Sequence, residues 1–305
     1  MYDIIGDVHG HANMLQALLL EMGYSQHNGH FAHPERKAVF VGDFINRGTQ
    51  NELTINIIRD MTESGCALAI LGNHELNAIY FTLRDKDDAP LDRRRLHNAD
   101  VKRTMQEFSG RRAAWQSHVK WLRRLPLFLD LGDIRAVHAC WTDNNIQLLK
   151  EQMSEKKLKK SFLRHIAGEE SDLACAFWET CRGIDFRLPE DMLIFDEKGQ
   201  QRRTFRTRWW LHRHGLTFNE LSFESRFRLP DYSIPPEIAG ESTPYPVDAP
   251  PVFFGHYCRF AGPNIVADNL CCVDSGVNRN GPLTAYRWNG EKTLHSYNLV
   301  NIAKC

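Results

Sequence analysis

Short apolar runs that end at a glycine recur through the first quarter of the chain. They occupy residues 2–5, 37–41 and 66–71, and polar residues follow each glycine. A continuous apolar run of this length between turn residues is typical of a strand that is buried on both faces. The pattern therefore predicts three buried strands, each followed directly by a polar turn.

Two amphipathic helices are predicted between these strands. Each shows apolar residues at helical spacing and ends at a glycine. The apolar positions are Met14, Leu15, Leu18, Leu19 and Met22 before Gly23, and Leu53, Ile57, Ile58 and Met61 before Gly65. Thr49 is placed to cap the second helix. Strands that alternate with helices predict a mostly parallel sheet, in which ligands bind beyond the carboxyl ends of the strands.

The rest of the chain is predicted to complete a single domain, 1–305. Residues 76–125 are charged and helical in pattern, which indicates a helical insertion. Residues 145–250 begin with a basic helical pattern, end in a proline-rich stretch and are interpreted as a cap or insertion. Further strands are predicted at 125–131, 134–137, 252–254, 265–267, 270–273, 283–288 and 293–297. The hairpin strands of the tail suggest a second sheet.

Polar side chains with metal-binding chemistry follow five of the predicted strands. They are Asp7, His9, Asp43, Asn73, His74, His138 and His256. Mixed oxygen and imidazole ligands suit borderline divalent metals such as manganese, iron or zinc, and they contain too much nitrogen for calcium. One such turn is more often a helix cap or a satisfied polar group. Five turns gathered at one sheet edge predict a metal centre.

Composition narrows the class of protein. The 305 residues include 42% apolar and 25% charged residues, as in an ordinary soluble globular enzyme. A net charge of zero gives no general argument for nucleic acid or an anionic membrane as partner. The N-terminus shows no signal-peptide pattern. The eight scattered cysteines form no CxxC pair, so we expect reduced thiols, no structural zinc site and a cytoplasmic location.

Five motifs occur in an order that resembles a known family. They are GDVHG (6–10), GDFINRG (42–48), GNHE (72–75), VHAC (137–140) and FGH (254–256). The series is similar to the signature of the calcineurin-like metallophosphoesterases. It most resembles the branch of the Ser/Thr phosphoprotein phosphatases and the bacterial symmetrical diadenosine-tetraphosphate hydrolases. The resemblance implies an α/β fold, a metallophosphoesterase-type two-sheet β-sandwich flanked by helices, with helical insertions.

The resemblance also implies two divalent metal ions that share the carboxylate of Asp43. The further ligands would be Asp7 and His9 for the first metal, and Asn73, His138 and His256 for the second. Manganese is the first expectation, with iron, zinc, nickel or cobalt as alternatives. Two such cations can activate a water and stabilise the oxygens of a displacement at phosphorus.

Three kinds of substrate-facing side chain are implied in the same way. His74 would protonate the leaving oxygen as general acid. Arg47 would hold the phosphoryl oxygens through its planar fork of donors. The family branch often has a further arginine before the last histidine, and Arg206 and Arg208 are both candidates for it.

Asn46 departs from the pattern of the phosphoprotein-phosphatase branch, which has GDxxDRG with an aspartate at this position. There the aspartate orients the catalytic histidine. Asn46 can still accept a hydrogen bond from His74 through its side-chain oxygen, but it cannot stabilise an imidazolium by charge. A plain turn residue is the alternative interpretation. The diadenosine-tetraphosphatase branch characteristically lacks this aspartate, so the change does not imply an inactive protein.

Together these features predict a two-metal phosphoesterase that hydrolyses a phosphate ester or phosphoanhydride. The expected substrate is a nucleotide such as a dinucleoside polyphosphate. A Ser/Thr or Tyr phosphoprotein is second, and a nucleic-acid end or cyclic phosphate is third because the net charge is neutral. A hypothesis of another class is a non-catalytic binding module with this fold. No membrane partner is expected.

Overall fold

The computed structural model describes residues 1–92, 98–153, 157–168, 171–190, 192–195, 199–223, 229, 231–240, 243–258 and 264–303. The chain divides into two compact units. The larger unit comprises Met1–Cys181 and Pro250–Cys305, and the smaller unit comprises Arg182–Ala249. Among the helices in these ranges, none combines the length and the hydropathy needed to cross a membrane.

Most of the strands are short and apolar. In chain order they are β1 (Tyr2–Ile5), β2 (Ser25–His27), β3 (His30–Ala32), β4 (Lys37–Phe40), β5 (Ala67–Ala69), β6 (Phe128–Asp130), β7 (Arg135–Val137), β8 (Asp185–Arg187), β9 (Ile194–Phe195), β10 (Gln201–Arg202), β11 (Thr204–Arg206), β12 (Val252–Phe254), β13 (Ile265–Ala267), β14 (Leu270–Cys272), β15 (Leu283–Trp288) and β16 (Leu299–Ile302).

The helices lie between these strands. In chain order they are α1 (Ala12–Glu21), α2 (Asn51–Glu63), α3 (Asn73–Thr82), α4 (Ala99–Gln106), α5 (Arg112–Leu122), α6 (Asp143–Gln152), α7 (Lys160–Gly168), α8 (Asp172–Arg182), α9 (Phe218–Leu221) and α10 (Pro236–Ala239). Short 3₁₀ turns cover Val277–Arg279 and Ser296–Asn298.

Two five-stranded sheets form the centre of the larger unit. The first has the order β16-β15-β1-β4-β5, and the second has the order β13-β14-β12-β7-β6. Side chains alternate between the faces of a strand. Ile4 and Val39 of the first sheet therefore share one core cluster with Phe253 of the second. Ile5 and Phe40 point the other way and pack in the core cluster that contains the helices. The predicted two-sheet sandwich flanked by helices is confirmed.

The predicted parallel pairing is found in the three strands from which it was inferred, and the tail adds an antiparallel strand to them. In the first sheet, β1, β4 and β5 are parallel, but β15 runs antiparallel to β1 and to β16. The last two strands of the tail thus complete the first sheet, while β13 and β14 join the second. In the second sheet, β12 is parallel to both β7 and β14. Each sheet therefore has a group of parallel strands whose carboxyl ends lie at the same edge.

Two local predictions are wrong, and one hairpin was not predicted. Residues 293–297 form no strand, because Leu294 is buried by packing against the core between the sheets while β16 supplies the ladder to β15. The polar hairpin of β2 and β3, which turns at Asn28 and Gly29, was not expected from the apolar pattern. Thr49 does not cap α2, since the helix begins after Gln50.

The two segments predicted as insertions differ in structure. The first, 76–125, contains most of α3 together with α4 and α5, and its residues 93–97 lie outside the described part. The second, 145–250, begins within α6, and its first three helices belong mainly to the larger unit, which gives way to the smaller unit after Cys181. A capping role for 145–250 stays a prediction.

The smaller unit has its own core and short two-stranded sheets. β8 pairs with β11, and β9 pairs with β10, both antiparallel. Phe186 and Phe205 stack with ring centroids 5.3 Å apart, and Phe218 meets both rings edge-on. These aromatic contacts stabilise the smaller unit, although it contains little regular secondary structure.

A buried carboxylate fastens the N-terminal strand of the larger unit. Asp3 is fully buried and accepts from Arg36 Nε at 2.9 Å, from Arg287 Nε at 3.2 Å and from the Tyr24 hydroxyl at 3.0 Å. Arg36 also donates to backbone carbonyl groups of β1 and β15. The carboxylate of Asp3 thus links β1 to β15 and to the chain segments that carry Tyr24 and Arg36.

Removing that charge should destabilise the protein strongly. Asp3→Ala leaves the guanidinium of Arg36 buried without its carboxylate partner, so we expect the free energy of unfolding to fall by about 3–5 kcal/mol. Denaturant unfolding monitored by circular dichroism measures the change. Asp60→Ala, on the exposed face of α2, is the matched control and should have little effect. A loss no larger than that of the control would show that the cluster does not stabilise the fold.

Candidate metal centre

The ends of strands from both sheets supply the site. Asp7 and Asp43 follow β1 and β4 by two and three residues, and Asn73 begins α3 after β5. His138 directly follows β7, and His256 follows β12 by two residues. The polar turns therefore do not come from one sheet edge, as predicted, but from the facing edges of two sheets.

Five residues of these turns adopt the left-handed backbone region. The φ angles are 47° at His9, 53° at Asp43, 74° at Asn46, 72° at Arg47 and 62° at His256. This conformation is unfavourable for residues with a Cβ and persists only where surrounding structure imposes it. Such strain concentrates at functional sites. Its coincidence with the predicted site residues marks these turns as one functional region.

Asp43 lies at the centre of the site. Its carboxylate is 3.4 Å from His138 Nε2 and 3.9 Å from both His9 Nε2 and His74 Nε2. Asp43 is 2% exposed, so these groups meet away from bulk water. Burial alone would raise the pKa of Asp43, but the three histidines outweigh it and hold this pKa well below its ordinary value. The carboxylate is therefore an anion that is available to a cation.

The rings of two histidines are held so that one nitrogen faces this carboxylate. His9 Nδ1 lies 3.2 Å from the carbonyl oxygen of Ile45, and His138 Nδ1 lies 2.8 Å from that of Val41. A carbonyl oxygen only accepts, so in both rings Nδ1 carries the proton and Nε2 keeps its lone pair when the ring is neutral. Metal-binding histidines are typically oriented in this way.

The predicted ligands form overlapping groups. In the described part of the chain, the ligand atoms of Asp43, His138 and His256 lie within 4.8 Å of one another, and so do those of Asp43, His9 and His74. Asn73 Oδ1 is 3.1 Å from His138 Nε2, which places this amide beside the first group. These residues fit divalent metals by donor type, burial and ring orientation.

Asp7 lies next to the second of these groups. Its Oδ2 is 3.9 Å from His9 Nε2 and accepts from the backbone N–H of His256 at 3.2 Å. Burial, together with the nearby charges of Asp274 and Asp43, raises the pKa of Asp7 well above its ordinary value. Carboxylates packed this closely oppose each other's ionisation, and a bound cation removes that opposition. Asp7 and His74 thus both lie beside His9 and Asp43.

Glu75 holds the metal-site loops in place. Its fully buried carboxylate accepts from the backbone N–H groups of Asp43 and Phe44 at 2.8 Å, of Gly72 at 3.0 Å and of Ile45 at 3.2 Å. The GNHE motif contains this residue, but sequence spacing does not reveal that three of its four partners lie 30–32 residues away. Gly72 is required here because a Cβ at that position would overlap the Asp43 carboxylate.

His74 and Arg47 form the side of the site that would face a substrate. Arg47 Nη2 is 3.5 Å from His74 Nε2, and Arg47 Nε is 3.9 Å from Asp100 Oδ2. Asn46 contacts His74 as predicted, at 2.8 Å, but its amide nitrogen faces the ring. The amide oxygen instead accepts from the hydroxyl of Thr104 at 2.6 Å. The catalytic roles of His74, Arg47 and Asn46 stay predictions.

The two arginines expected to contact substrate belong to the smaller unit. Arg206 Nε donates to Asp185 Oδ1 at 2.8 Å, an ion pair between β11 and β8. The backbone N–H of Arg208 donates to Leu221 at 2.8 Å. A substrate-binding role for either arginine stays a prediction.

The converging strand ends define a class of protein: a two-sheet α/β sandwich with carboxylate, amide and imidazole groups that could hold divalent metals. The chain belongs to the calcineurin-like phosphoesterase family, whose model matches residues 2–196.

Curated relatives match less than half of the chain. One is the bis(5'-nucleosyl)-tetraphosphatase PrpE [asymmetrical] of Oceanobacillus iheyensis, 30% identical over 143 residues, which are 45% of this chain and 54% of the relative. The protein of the same name from Halalkalibacterium halodurans is 38% identical over 80 residues, 26% of this chain and 32% of the relative. The chain thus spans about half or less of the relatives it matches.

Solved structures share the fold over nearly the whole chain. A cold-active protein-tyrosine phosphatase of a psychrophilic Shewanella species has a TM-score of 0.52 at 14% identity, covering 98% of this chain and 79% of that one. A protein serine/threonine phosphatase from Saccharomyces cerevisiae has a TM-score of 0.51 at 14% identity, covering 99% and 78%. At this identity the likeness concerns the fold alone.

Proposed function

We propose that the chain is a metal-dependent hydrolase of phosphate esters or phosphoanhydrides. The observation that carries the proposal is the buried Asp43 carboxylate, with three imidazole Nε2 atoms at 3.4–3.9 Å and the guanidinium of Arg47 beside one of them. This arrangement joins cation ligands to a group suited to phosphoryl oxygens. A purely structural cluster would not require a half-exposed arginine at its edge.

Two divalent metals would be held by the predicted ligands, with manganese as the metal we propose first. The ligands are Asp7, His9, Asp43, Asn73, His138 and His256. When bound, the metals supply a more acidic water as nucleophile and stabilise negative charge on the phosphoryl oxygens.

The remaining steps belong to side chains of the protein. Arg47 would bind and orient the phosphoryl group through parallel N–H donors. His74 would deliver a proton from Nε2 to the oxygen that leaves. His74 is 5% exposed, so the proton transfer is shielded from water on most sides.

The substrate we propose is a dinucleoside polyphosphate. The proposal is supported by the PrpE relatives, which are named as bis(5'-nucleosyl)-tetraphosphatases, and by the asparagine at position 46. The experiment is incubation of the manganese-loaded protein with diadenosine tetraphosphate, followed by chromatography of the products. ADP alone indicates symmetrical cleavage, whereas ATP with AMP indicates asymmetrical cleavage. Release of phosphate from a phosphopeptide, with diadenosine tetraphosphate left intact, would contradict the nucleotide proposal and favour a phosphoprotein.

Arg47→Lys tests the phosphate-binding arginine. Lysine keeps the charge but loses the planar fork. Hydrogen bonds to charged groups contribute about 1.5–3 kcal/mol, so kcat/KM should fall about tenfold to a hundredfold. Steady-state kinetics with p-nitrophenyl phosphate measures this change, and manganese content should not alter. Arg112→Lys, an exposed arginine of α5, is the control. Unchanged kcat/KM in Arg47→Lys would exclude this role.

A further inference from the structure

We propose that helix α4 is a positioning element of the active site, and that its Thr104 acts through Asn46 to orient His74. The catalytic consequence rests on the proposed function, while the side-chain linkage itself does not. α4 lies within the charged segment that the sequence marks only as a helical insertion.

The linkage consists of hydrogen bonds between buried groups. The Thr104 hydroxyl lies 2.6 Å from Asn46 Oδ1, and Asn46 Nδ2 lies 2.8 Å from His74 Nδ1. Thr104 is 1% exposed, Asn46 is fully buried and His74 is 5% exposed. Water therefore competes little for these bonds, and a broken one leaves a buried polar atom unpaired. The contact spans 58 residues of sequence between Asn46 and Thr104.

A hydroxyl is suited to this position because the amide of Asn46 contains both a hydrogen-bond donor and an acceptor. An asparagine side chain offers a donor at one end and an acceptor at the other, so turning it by half a turn exchanges both. With its nitrogen toward His74, its oxygen needs a donor; with its oxygen toward His74, its nitrogen needs an acceptor. The Thr104 hydroxyl can donate or accept. Thr104 therefore keeps Asn46 satisfied whichever nitrogen of His74 carries the proton.

The same face of α4 secures the rest of the loop. Asp100 and Thr104 of α4 and Glu107, which directly follows the helix in helical backbone conformation, are spaced at i, i+4 and i+7 and so lie on one side. Asp100 Oδ2 is 3.9 Å from Arg47 Nε. Glu107 accepts from the backbone N–H of Asn51, the first residue of α2, at 2.9 Å. The side chain of Asn51 in turn accepts from the backbone N–H of Asn46 at 2.6 Å.

The experiment compares Thr104→Val, which keeps the shape of the side chain, with Thr104→Ser, which keeps the hydroxyl. Lys102→Ala, on the exposed side of α4, is the control. The substrates are phenyl phosphate, whose leaving phenol has a pKa of about 10 like tyrosine, and p-nitrophenyl phosphate, whose leaving group is more acidic and needs a proton less. Each manganese-loaded protein is assayed for kcat and KM with both.

If α4 positions the general acid, Thr104→Val should lower kcat unequally for the two substrates. In Thr104→Val, kcat for phenyl phosphate should fall about tenfold to a hundredfold, and kcat for p-nitrophenyl phosphate by less than about threefold. KM should change little, and Thr104→Ser should restore the rate. An equal loss with both substrates, no loss with either, or failure of serine to restore it would overturn the proposal.

A second readout does not depend on turnover. In protein with ¹⁵N-labelled histidine rings, the ring nitrogen signals of His74 are identified by their loss in His74→Asn. They should shift in Thr104→Val and stay unchanged in Thr104→Ser and Lys102→Ala. If the wild type hydrolyses neither of these phosphates nor diadenosine tetraphosphate, the proposed function fails while this measurement still decides the linkage. His74 signals that are insensitive to Thr104→Val would overturn the linkage itself.

Discussion

Asp43→Asn will abolish phosphate-ester hydrolysis by the manganese-loaded protein. The carboxylate lies within 3.9 Å of His9, His74 and His138 alike, and it is the proposed shared ligand of two metals. Asparagine has the same shape but no negative charge, so it removes the electrostatic centre of the site. Loss of an essential active-site group lowers kcat by at least about a thousandfold.

The measurement is turnover of p-nitrophenyl phosphate together with metal content after equilibrium dialysis. We expect both turnover and bound manganese to fall in Asp43→Asn. Asp133→Asn, in the exposed turn between β6 and β7, makes the same chemical change on the surface and should match the wild type. Turnover within a factor of about ten of the wild type would contradict the assignment, since it would leave the carboxylate without an essential role.

Glu75→Ala will weaken both the fold and the metal site. The substitution leaves four backbone N–H groups without their acceptor. A single buried donor left unpaired costs about 1–3 kcal/mol, so we expect the free energy of unfolding to fall by about 3 kcal/mol or more. The loop that carries Asp43 is then no longer held by Glu75. Substitution of a group that orients metal ligands typically lowers metal affinity about tenfold to a hundredfold, and we expect a loss of this size.

Denaturant unfolding of the metal-free protein and manganese titration measure these two effects. Glu75→Gln provides a variant that retains one oxygen acceptor and should be less destabilised. Glu21→Gln, at the exposed end of α1, is the surface control. Unfolding and manganese affinity that both match those of the control would rule out an anchoring role for Glu75.

The elements that sequence predicted best are those whose signal is local. β1 and β12 were predicted with their observed bounds because each is a short apolar run closed by a glycine. The site residues on the strand ends were predicted for the same reason, and the structure brings them together. The division of these strands between two sheets could not be predicted, because a buried strand has the same apolar pattern in either sheet.

The supports of the site were not predicted because they act over long separations. The first N–H of α2 donates to Glu107, which lies 56 residues further along the chain. The sequence around Thr49 therefore does not reveal the group that caps this helix. Glu75 and Thr104 likewise act on loops 30 and 58 residues away. The hairpin at Asn28 and Gly29 is different, since an Asn-Gly pair is itself a local turn signal.

Titration of the metal-free protein with manganese, read as bound metal and as turnover in the same samples, tests the central claim most directly. We expect turnover of p-nitrophenyl phosphate to rise with bound manganese and to level off at about two ions per chain. Addition of a chelator should then remove the metal and the activity together. Turnover that persists after complete removal of metal, or metal-saturated protein that hydrolyses no phosphate ester or anhydride, would contradict the proposed two-metal phosphoesterase.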